Sequence, residues 1–197
     1  LGTNNIANSA GATAMGLAKS FGVAAMTGPI SDIKDAACIL AVGADIAETY
    51  PVIALEVQKA VRKGGKLIVI NPRRSSLAKQ TDTWLRPLPG SEAALLMGMA
   101  RVIVDEGLED TAFIADRCED YEAFRVSLEG FSLDTVAQVT GVPGESIARS
   151  ARIFATHKPA SILYTPDSHG ADSVLAMANL AMLTGNVGRP ASGMYPL

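Results

Sequence analysis

Cysteine is scarce in this chain: Cys38 and Cys118 are the only two among 197 residues, and they lie far apart. Neither belongs to a CxxC pair or neighbours a histidine, so the chain does not by itself encode a zinc or iron–sulfur site. They read as two reduced, mostly buried thiols. Histidine is equally rare. His157 reads as a surface residue at a helix C-terminus, and His169 lies in a loop after a strand, where it can reach a ligand. No serine or carboxylate stands at a spacing that would make either a hydrolase base. No apolar run approaches the roughly 20 residues that span a bilayer, and no targeting signal is evident. A basic excess is also missing. The net charge of −3 argues against nucleic acid as a partner.

Aromatic residues make up 5% of the chain, while 48% of it is apolar. Ala, Val, Ile and Leu must therefore fill the core, as they do where helices cover both faces of a parallel sheet. The periodicity agrees. Cys38–Val42 is a buried run ended by Gly43. Pro51 opens a helix to about Arg62, with Val52, Leu55, Val57 and Val61 as its apolar side and Gly64-Gly65 as its stop. Leu67–Ile70 is the next buried run. Two strands with one helix between them make a right-handed βαβ unit. Thr83–Arg86 is a shorter strand. Ser91 reads as the N-cap of a long helix from Glu92 to Glu106, whose Leu95, Leu96, Met99 and Val102 form a buried stripe. Met97, Met99, Met177 and Met182 read as core.

Asp110–Lys158 is predicted to be entirely helical, in four pieces: Asp110–Cys118, Tyr121–Leu128, Ser132–Thr140 and Glu145–His157. Ser161–Thr165 returns to the sheet, a helix runs from Ser173 to Leu183, and Gly188-Arg189-Pro190 makes a turn. At the start, Ala7–Ser20 reads as a close-packed helix, and Ser31 or Asp32 as the cap of a short one. The fold class is α/β: a Rossmann-like parallel sheet with helices on both faces and an all-helical insertion at about 108–158. Residues 1–197 are expected to form one domain. Leu1 to Asn5 begins abruptly and Ser192 to Leu197 reads as a loop, which suggests a segment of a larger subunit.

Three loops leave strand ends on one edge. Gly43-Ala44-Asp45 precedes a helix, where glycine permits close approach of a ligand. It is not a GxGxxG, so a standard dinucleotide fingerprint is absent. In Asn71-Pro72-Arg73-Arg74 an arginine can hold a phosphate through paired hydrogen bonds. Gly90-Ser91-Glu92 sets a carboxylate behind a tight turn, suited to the hydrogen-bond donors of a purine base. The candidate binding loops are therefore Gly43-Ala44-Asp45, where Asp45 would itself repel a phosphate, Asn71-Pro72-Arg73-Arg74 and Gly90-Ser91-Glu92.

In this order the pieces resemble the large subunits of molybdopterin oxidoreductases, of the formate dehydrogenase type. The resemblance is carried by Gly2-Thr3-Asn4-Asn5, Cys38–Gly43, Gly64-Gly65-Lys66-Leu67-Ile68-Val69, Asn71–Arg74, Pro89-Gly90-Ser91, Thr140–Pro143 and Leu180–Pro190, and it extends over nearly the whole chain. It implies one α/β domain that binds the guanosine diphosphate part of a molybdopterin guanine dinucleotide through Gly43, Ala44, Asp45, Asn71, Arg73, Gly90, Ser91 and Glu92. Iron–sulfur clusters would lie elsewhere in the full subunit.

The departures carry their own implication. The family has a Cys or selenocysteine metal ligand followed by His soon after the GTNN stretch. Here Ile6–Thr13 holds neither, and Ser9 offers only a hydroxyl oxygen. The glycine-rich loop with its Gln is replaced by Thr165-Pro166-Asp167-Ser168-His169-Gly170. Glu92 stands for the usual Asp, and Asp45 for the usual Asn. The scaffold is expected to persist with no metal ligand in this chain, as in the formate dehydrogenase-like branch found in bacterial NADH-quinone oxidoreductase. The alternative is the cofactor-binding domain of a catalytic molybdenum or tungsten formate dehydrogenase. Partners implied are other domains of the same subunit and other subunits of a respiratory or formate dehydrogenase complex. The implied location is cytoplasmic, at most peripheral to the inner membrane.

Overall fold

A computed structural model describes residues 11–43, 45–81, 83–165 and 170–197, with side chains from residue 16 onward. Ala44, Ser9, His169 and the GTNN stretch therefore lie outside the described residues. Five strands form one sheet: β1 (Cys38–Val42), β2 (Lys66–Ile70), β3 (Thr83–Leu85), β4 (Ala160–Tyr164) and β5 (Gly193–Pro196). Their order is β3-β2-β1-β4-β5, and every pair is parallel. The α/β class read from the sequence holds.

Both faces of the sheet are covered. Along β1, Cys38, Leu40 and Val42 enter one core cluster, and Ile39 and Ala41 enter the other. β2 divides in the same way, with Ile68 and Ile70 against Leu67 and Val69. Side chains alternate across a strand, so an unbroken apolar run is what a sheet buried on both faces requires. The first face is covered by α4 (Glu92–Asp105), α8 (Gly144–Thr156) and α9 (Ala171–Leu183). The second is covered by α3 (Pro51–Arg62) and the 3₁₀ turn Ile30–Asp35. α1 (Gly11–Phe21) packs on α9, and the short α2 (Ile46–Thr49) leads into α3. Between α4 and α8 stand α5 (Thr111–Arg117), α6 (Tyr121–Ser127) and α7 (Leu133–Thr140), with no strand among them. α8 reaches β1 and β3 directly, so this helical block completes one sheet face.

Four details differ from the sequence reading. β5 occupies what was expected to be a loop; it pairs with β4 from Gly193 opposite Ser161 to Pro196 opposite Tyr164. It is an edge strand, where a proline's missing donor is tolerated. The apolar side of α3 is built from Ala54, Val57 and Ala60, while Val52 is 71% exposed and Leu55 54% exposed. Small alanines beside Val57 let the helix lie close to the sheet, and Val52 and Leu55 fall on the outer side. Ser91 precedes α4 but does not cap it: its hydroxyl donates to the Leu88 carbonyl at 2.7 Å. The short helix after Pro29 likewise has no side-chain cap from Ser31 or Asp32.

The amino-terminal end of the sheet is stitched shut. Asn186, 2% exposed, accepts from the Ala160 amide at 2.9 Å and donates to Thr184 Oγ1 at 2.8 Å. Asp110 caps α5 by accepting from the Phe113 amide at 3.0 Å. That bond, with Lys158 and Arg189 nearby, holds its carboxyl below the usual range. Arg189 reaches Asp110 at 3.4 Å and lies over the Phe113 ring. Asn186→Ala strands the buried Ala160 amide, a cost of about 2 kcal/mol. Urea unfolding measures it, and a loss under about 0.5 kcal/mol would mean that another group satisfies that amide.

Burial pushes the Cys38 thiol up to about 12 from its ordinary 9.0, and raises that of half-buried Cys118. The unfolded chain therefore loses the Cys38 proton first as pH rises above 9, and the folded chain holds it until about 12. The contribution of this thiol to stability is complete below pH 9 and declines through that window. Iodoacetamide at pH 9 is expected to modify Cys118 well before Cys38. Equal rates for the two thiols in the folded chain would contradict this.

Candidate functional site: a polar cleft at the carboxyl ends of the strands

A parallel sheet sends the loops that follow its strands to one edge, and ligands bind there, beside the point where strand order reverses. In this fold that point is the boundary between β1 and β4. A cleft of about 450 Å³ lies there. Its lining comes from the end of β1 (Gly43), the end of β2 (Asn71, Pro72, Arg73), the turn after β3 (Pro89, Gly90, Glu92) and the start of α9 (Gly170, Asp172, Ser173).

Each contribution has a local cause. Gly43 leaves β1 with φ +73° while its amide donates to the Ile70 carbonyl at 2.8 Å, which ties the β1 and β2 exits together. Gly90 has φ +85°, and a side chain there would meet nothing within 4 Å. Backbone conformation, not crowding, is what calls for glycine at this turn.

The loop after β2 is the most constrained part. Asn71, 5% exposed, accepts the Arg73 amide at 2.8 Å through its side-chain oxygen. That closes a small turn of the kind Asn forms readily. Trp84 Nε1 donates to the Asn71 carbonyl at 2.9 Å, and Arg86 Nε donates to the Pro72 carbonyl at 3.2 Å. On the other side, Asp45 accepts the Ser76 amide at 3.3 Å, while its second oxygen is buried without a partner among the described residues.

The two arginines separate. Arg74 lies over the Trp84 ring, 5.9 Å from its centre. Arg73 is exposed, lines the cleft and has no carboxylate partner among the described residues. Asn71 Nδ2 also makes no hydrogen bond among them, so the cleft holds one free guanidinium and one free amide donor.

The cleft therefore gathers Gly43, Asn71, Arg73, Gly90 and Glu92 from the eight candidates. Ser91 is turned inward to the Leu88 carbonyl, Asp45 braces the β2 loop from beside the cleft, and Ala44 lies outside the described residues. Sequence reasoning missed Gly170, Asp172 and Ser173. A glycine followed by short polar residues at the head of a helix was the available signal, but the neighbouring position of β4 and β1 was not.

Chemically, the arrangement suits a nucleotide. Arg73 and Asn71 Nδ2 are donors for an anion, and Glu92 is an acceptor for adjacent N–H groups such as those of guanine. Among the described residues no His, Cys, Asp and Glu side chains gather as a metal site. No helix among them is long and apolar enough to cross a membrane.

Comparison with known proteins gives the family. The molybdopterin oxidoreductase family model matches residues 2–197. The chain is 41% identical, over 99% of its length, to the alpha subunit of F420-dependent formate dehydrogenase 1 from Methanococcus maripaludis. It is 37% identical over its whole length to formate dehydrogenase H of Escherichia coli. It covers 30% and 29% of those two proteins, so it spans under a third of the curated relatives it matches. Among solved structures, acetylene hydratase from Pelobacter acetylenicus superposes with a TM-score of 0.83 at 29% identity, over 91% of this chain and 25% of that one. With the family model matching nearly its full length and relatives at 41% and 37% identity, the chain belongs to the molybdopterin oxidoreductase family, as a domain of the formate dehydrogenase type.

Proposed function

We propose that this chain is the domain that holds the guanosine diphosphate portion of a pterin guanine dinucleotide, within a larger oxidoreductase subunit of the formate dehydrogenase type. The observation that carries the proposal is the unpaired Arg73, fixed at the edge of a polar cleft that also holds Glu92 and two positive-φ glycines.

The residues present fit that ligand. Gly43 and Gly90 leave room for backbone approach, Arg73 takes a phosphate, and Glu92 accepts from the guanine edge. When bound, the pterin supplies dithiolene sulfurs for molybdenum or tungsten and so the redox chemistry. What this chain contributes is binding and orientation. Trp84, Arg86 and Asp45 hold the Arg73 loop in place before the ligand arrives, which reduces the ordering cost of binding. Residues 1–197 would act as one domain, with the helices of about 108–158 as its insertion. Iron–sulfur clusters, electron acceptor and partner subunits would belong to the rest of a cytoplasmic or peripherally attached complex.

A second reading is favoured by one feature of the sequence. Ile6–Thr13 contains neither Cys nor His, so this chain offers no soft metal ligand there. On that reading the domain is a retained scaffold in the electron-input arm of an NADH-quinone oxidoreductase. Metal and pterin analysis of the full-length native protein separates the two. Stoichiometric molybdenum or tungsten with pterin supports the first, and their absence from a fully loaded complex supports the second.

The binding site itself is tested by titration with GDP. A charge-assisted hydrogen bond contributes roughly 1.5–3 kcal/mol, so Arg73→Ala is expected to weaken binding about ten- to a hundredfold. Arg189→Ala, on the opposite edge of the sheet, is the control. Trp84 is the chain's only tryptophan and stands behind the Asn71 loop, so its emission should report occupancy. Equal losses from both variants, or tight binding indifferent to Arg73→Ala, would place the site elsewhere.

A further inference from the structure

A second concavity lies away from the cleft, between α5, α6 and the last turn of α9. It is an open groove of about 300 Å³ lined by Thr111, Ile114, Ala115, Cys118 and Tyr121. A smaller pocket of about 60 Å³ adjoins it, where Glu119, Phe124 and Met182 join Ile114, Cys118 and Tyr121. Its floor is apolar: Ile114 is buried, and Tyr121 and Phe124 pack against the core. The turn Cys118-Glu119-Asp120 shapes one end. Asp120 stands there at φ +55°, a left-handed conformation that Asp tolerates better than most side chains.

Charge around this groove is one-sided. From residue 105 to 145 the chain carries 11 Asp and Glu against 2 Lys and Arg. Both of those arginines pair locally, Arg117 with Asp116 and Arg125 with Glu122. Glu109, Glu119 and Asp120 have no cationic partner among the described residues. Glu109 stands behind Tyr121, whose hydroxyl lies 3.5 Å from its Oε1. Its Oε2 is buried with no hydrogen-bond partner among the described residues. A buried carboxylate oxygen in that state is destabilising, and buried polar atoms normally find partners. An acidic face alone is an ordinary solvated surface. An apolar groove backed by an orphaned carboxylate oxygen asks for a particular occupant.

We infer that the groove docks an arginine side chain from a separate polypeptide, with its aliphatic stem on Ile114 and Met182 and its guanidinium at Tyr121, between Glu119 on the rim and Glu109 behind. A guanidinium fits because it is planar, weakly hydrated and drawn both to aromatic faces and to carboxylates, while its stem is apolar. A metal ion does not, since the acidic groups among the described residues do not converge as ligands. Position decides the source. Ser173 lines the cleft and Met182 the groove, roughly 14 Å further along α9. The Asp110 amide donates to the Leu183 carbonyl at 2.9 Å, which ties the groove to the closed edge of the sheet. Segments of the same subunit that enclose a ligand at the carboxyl edge lie on the opposite side, which leaves this groove to another chain.

Cys118 reports on the groove because it lines both parts of it, and the fully buried Cys38 is the silent reference. In the 197-residue chain, the blocked peptide acetyl-Leu-Arg-amide is expected to slow iodoacetamide labelling of Cys118 in a saturable way. The citrulline analogue, which keeps the shape and loses the charge, is expected to give no protection. Glu119→Gln is expected to weaken protection by the arginine peptide about three- to tenfold, and Asp134→Asn, an exposed acid on α7 outside the groove, to change it less than about twofold. No protection by the arginine peptide, equal protection by both peptides, or equal losses from both variants overturns the arginine assignment. In the full-length native protein, Cys118 is expected to be shielded while other subunits are attached and to label at the free-chain rate once salt has stripped them. Shielding that persists in the stripped subunit assigns the groove to the same chain, and labelling at the free-chain rate before stripping means that nothing docks there. Either result overturns the inference, and neither bears on GDP binding in the cleft.

Discussion

Strand β1 pairs in parallel with β2 on one edge and with β4 on the other, and its side chains are buried on both faces. Shifting it by one residue would exchange the two core clusters, placing Ile39 and Ala41 where Cys38, Leu40 and Val42 now pack. The register is therefore specified from four directions. Because all pairs are parallel, this one constraint also sets Gly43, Asn71, the Gly90 turn and Thr165 on the same side. The cleft is a consequence of that alignment. At the other side, Asn186 is satisfied by the Ala160 amide and Thr184 Oγ1, while Asp110 takes the Phe113 amide and pairs with Arg189. One end of the sheet is closed chemically and the other is left with donors to spare.

The free donors depend in turn on the loop after β2. Two adjacent arginines look equivalent in a sequence, but only one is available. Trp84 decides between them: its ring takes Arg74, and its Nε1 fixes the Asn71 carbonyl. Asn71 then uses its oxygen on the Arg73 amide and keeps its nitrogen for the cleft. A guanidinium on a loop pinned at Asn71, Pro72 and Ser76 loses less freedom on meeting a phosphate than one on a loose segment.

Much of this was legible in the sequence, and the failures have physical causes. Buried runs identified β1, β2 and β4 because a strand covered on both faces is almost wholly apolar, and the one buried serine, Ser161, donates its hydroxyl to the Ala191 carbonyl. The stripe of α4 was legible because Leu95, Leu96, Met99 and Val102 are large and helically spaced. On α3 the same rule misled in part, since Val57 is buried as read but Ala54 and Ala60 complete the inner side, while Val52 and Leu55 face outward. β5 escaped because Gly-Met-Tyr-Pro carries strand-breaking residues that only an edge position tolerates. Ser91 has the spacing of a cap, but the Pro89-Gly90 turn presents the Leu88 carbonyl to its hydroxyl first. Half of the cleft was legible because Asn71, Arg73, Gly90 and Glu92 follow strands that are consecutive along the chain. The α9 wall was not, because it meets them only through the pairing of β1 with β4.

The balance of charge in the cleft bears on what it discriminates. One unpaired arginine faces two carboxylates, Glu92 and Asp172. A site tuned only for attraction to phosphate would not carry both, because each raises the cost of bringing an anion in. On the proposed nucleotide reading, Glu92 would recover that cost by accepting from a base that presents adjacent N–H groups, and would penalise a base that presents acceptors there. Simple phosphate or an unmatched nucleotide meets the repulsion without the compensation. On that reading affinity would depend on a ligand long enough to reach Glu92 and Arg73 together, which is the form selectivity takes when, among the described residues, one cation serves an otherwise acidic cleft.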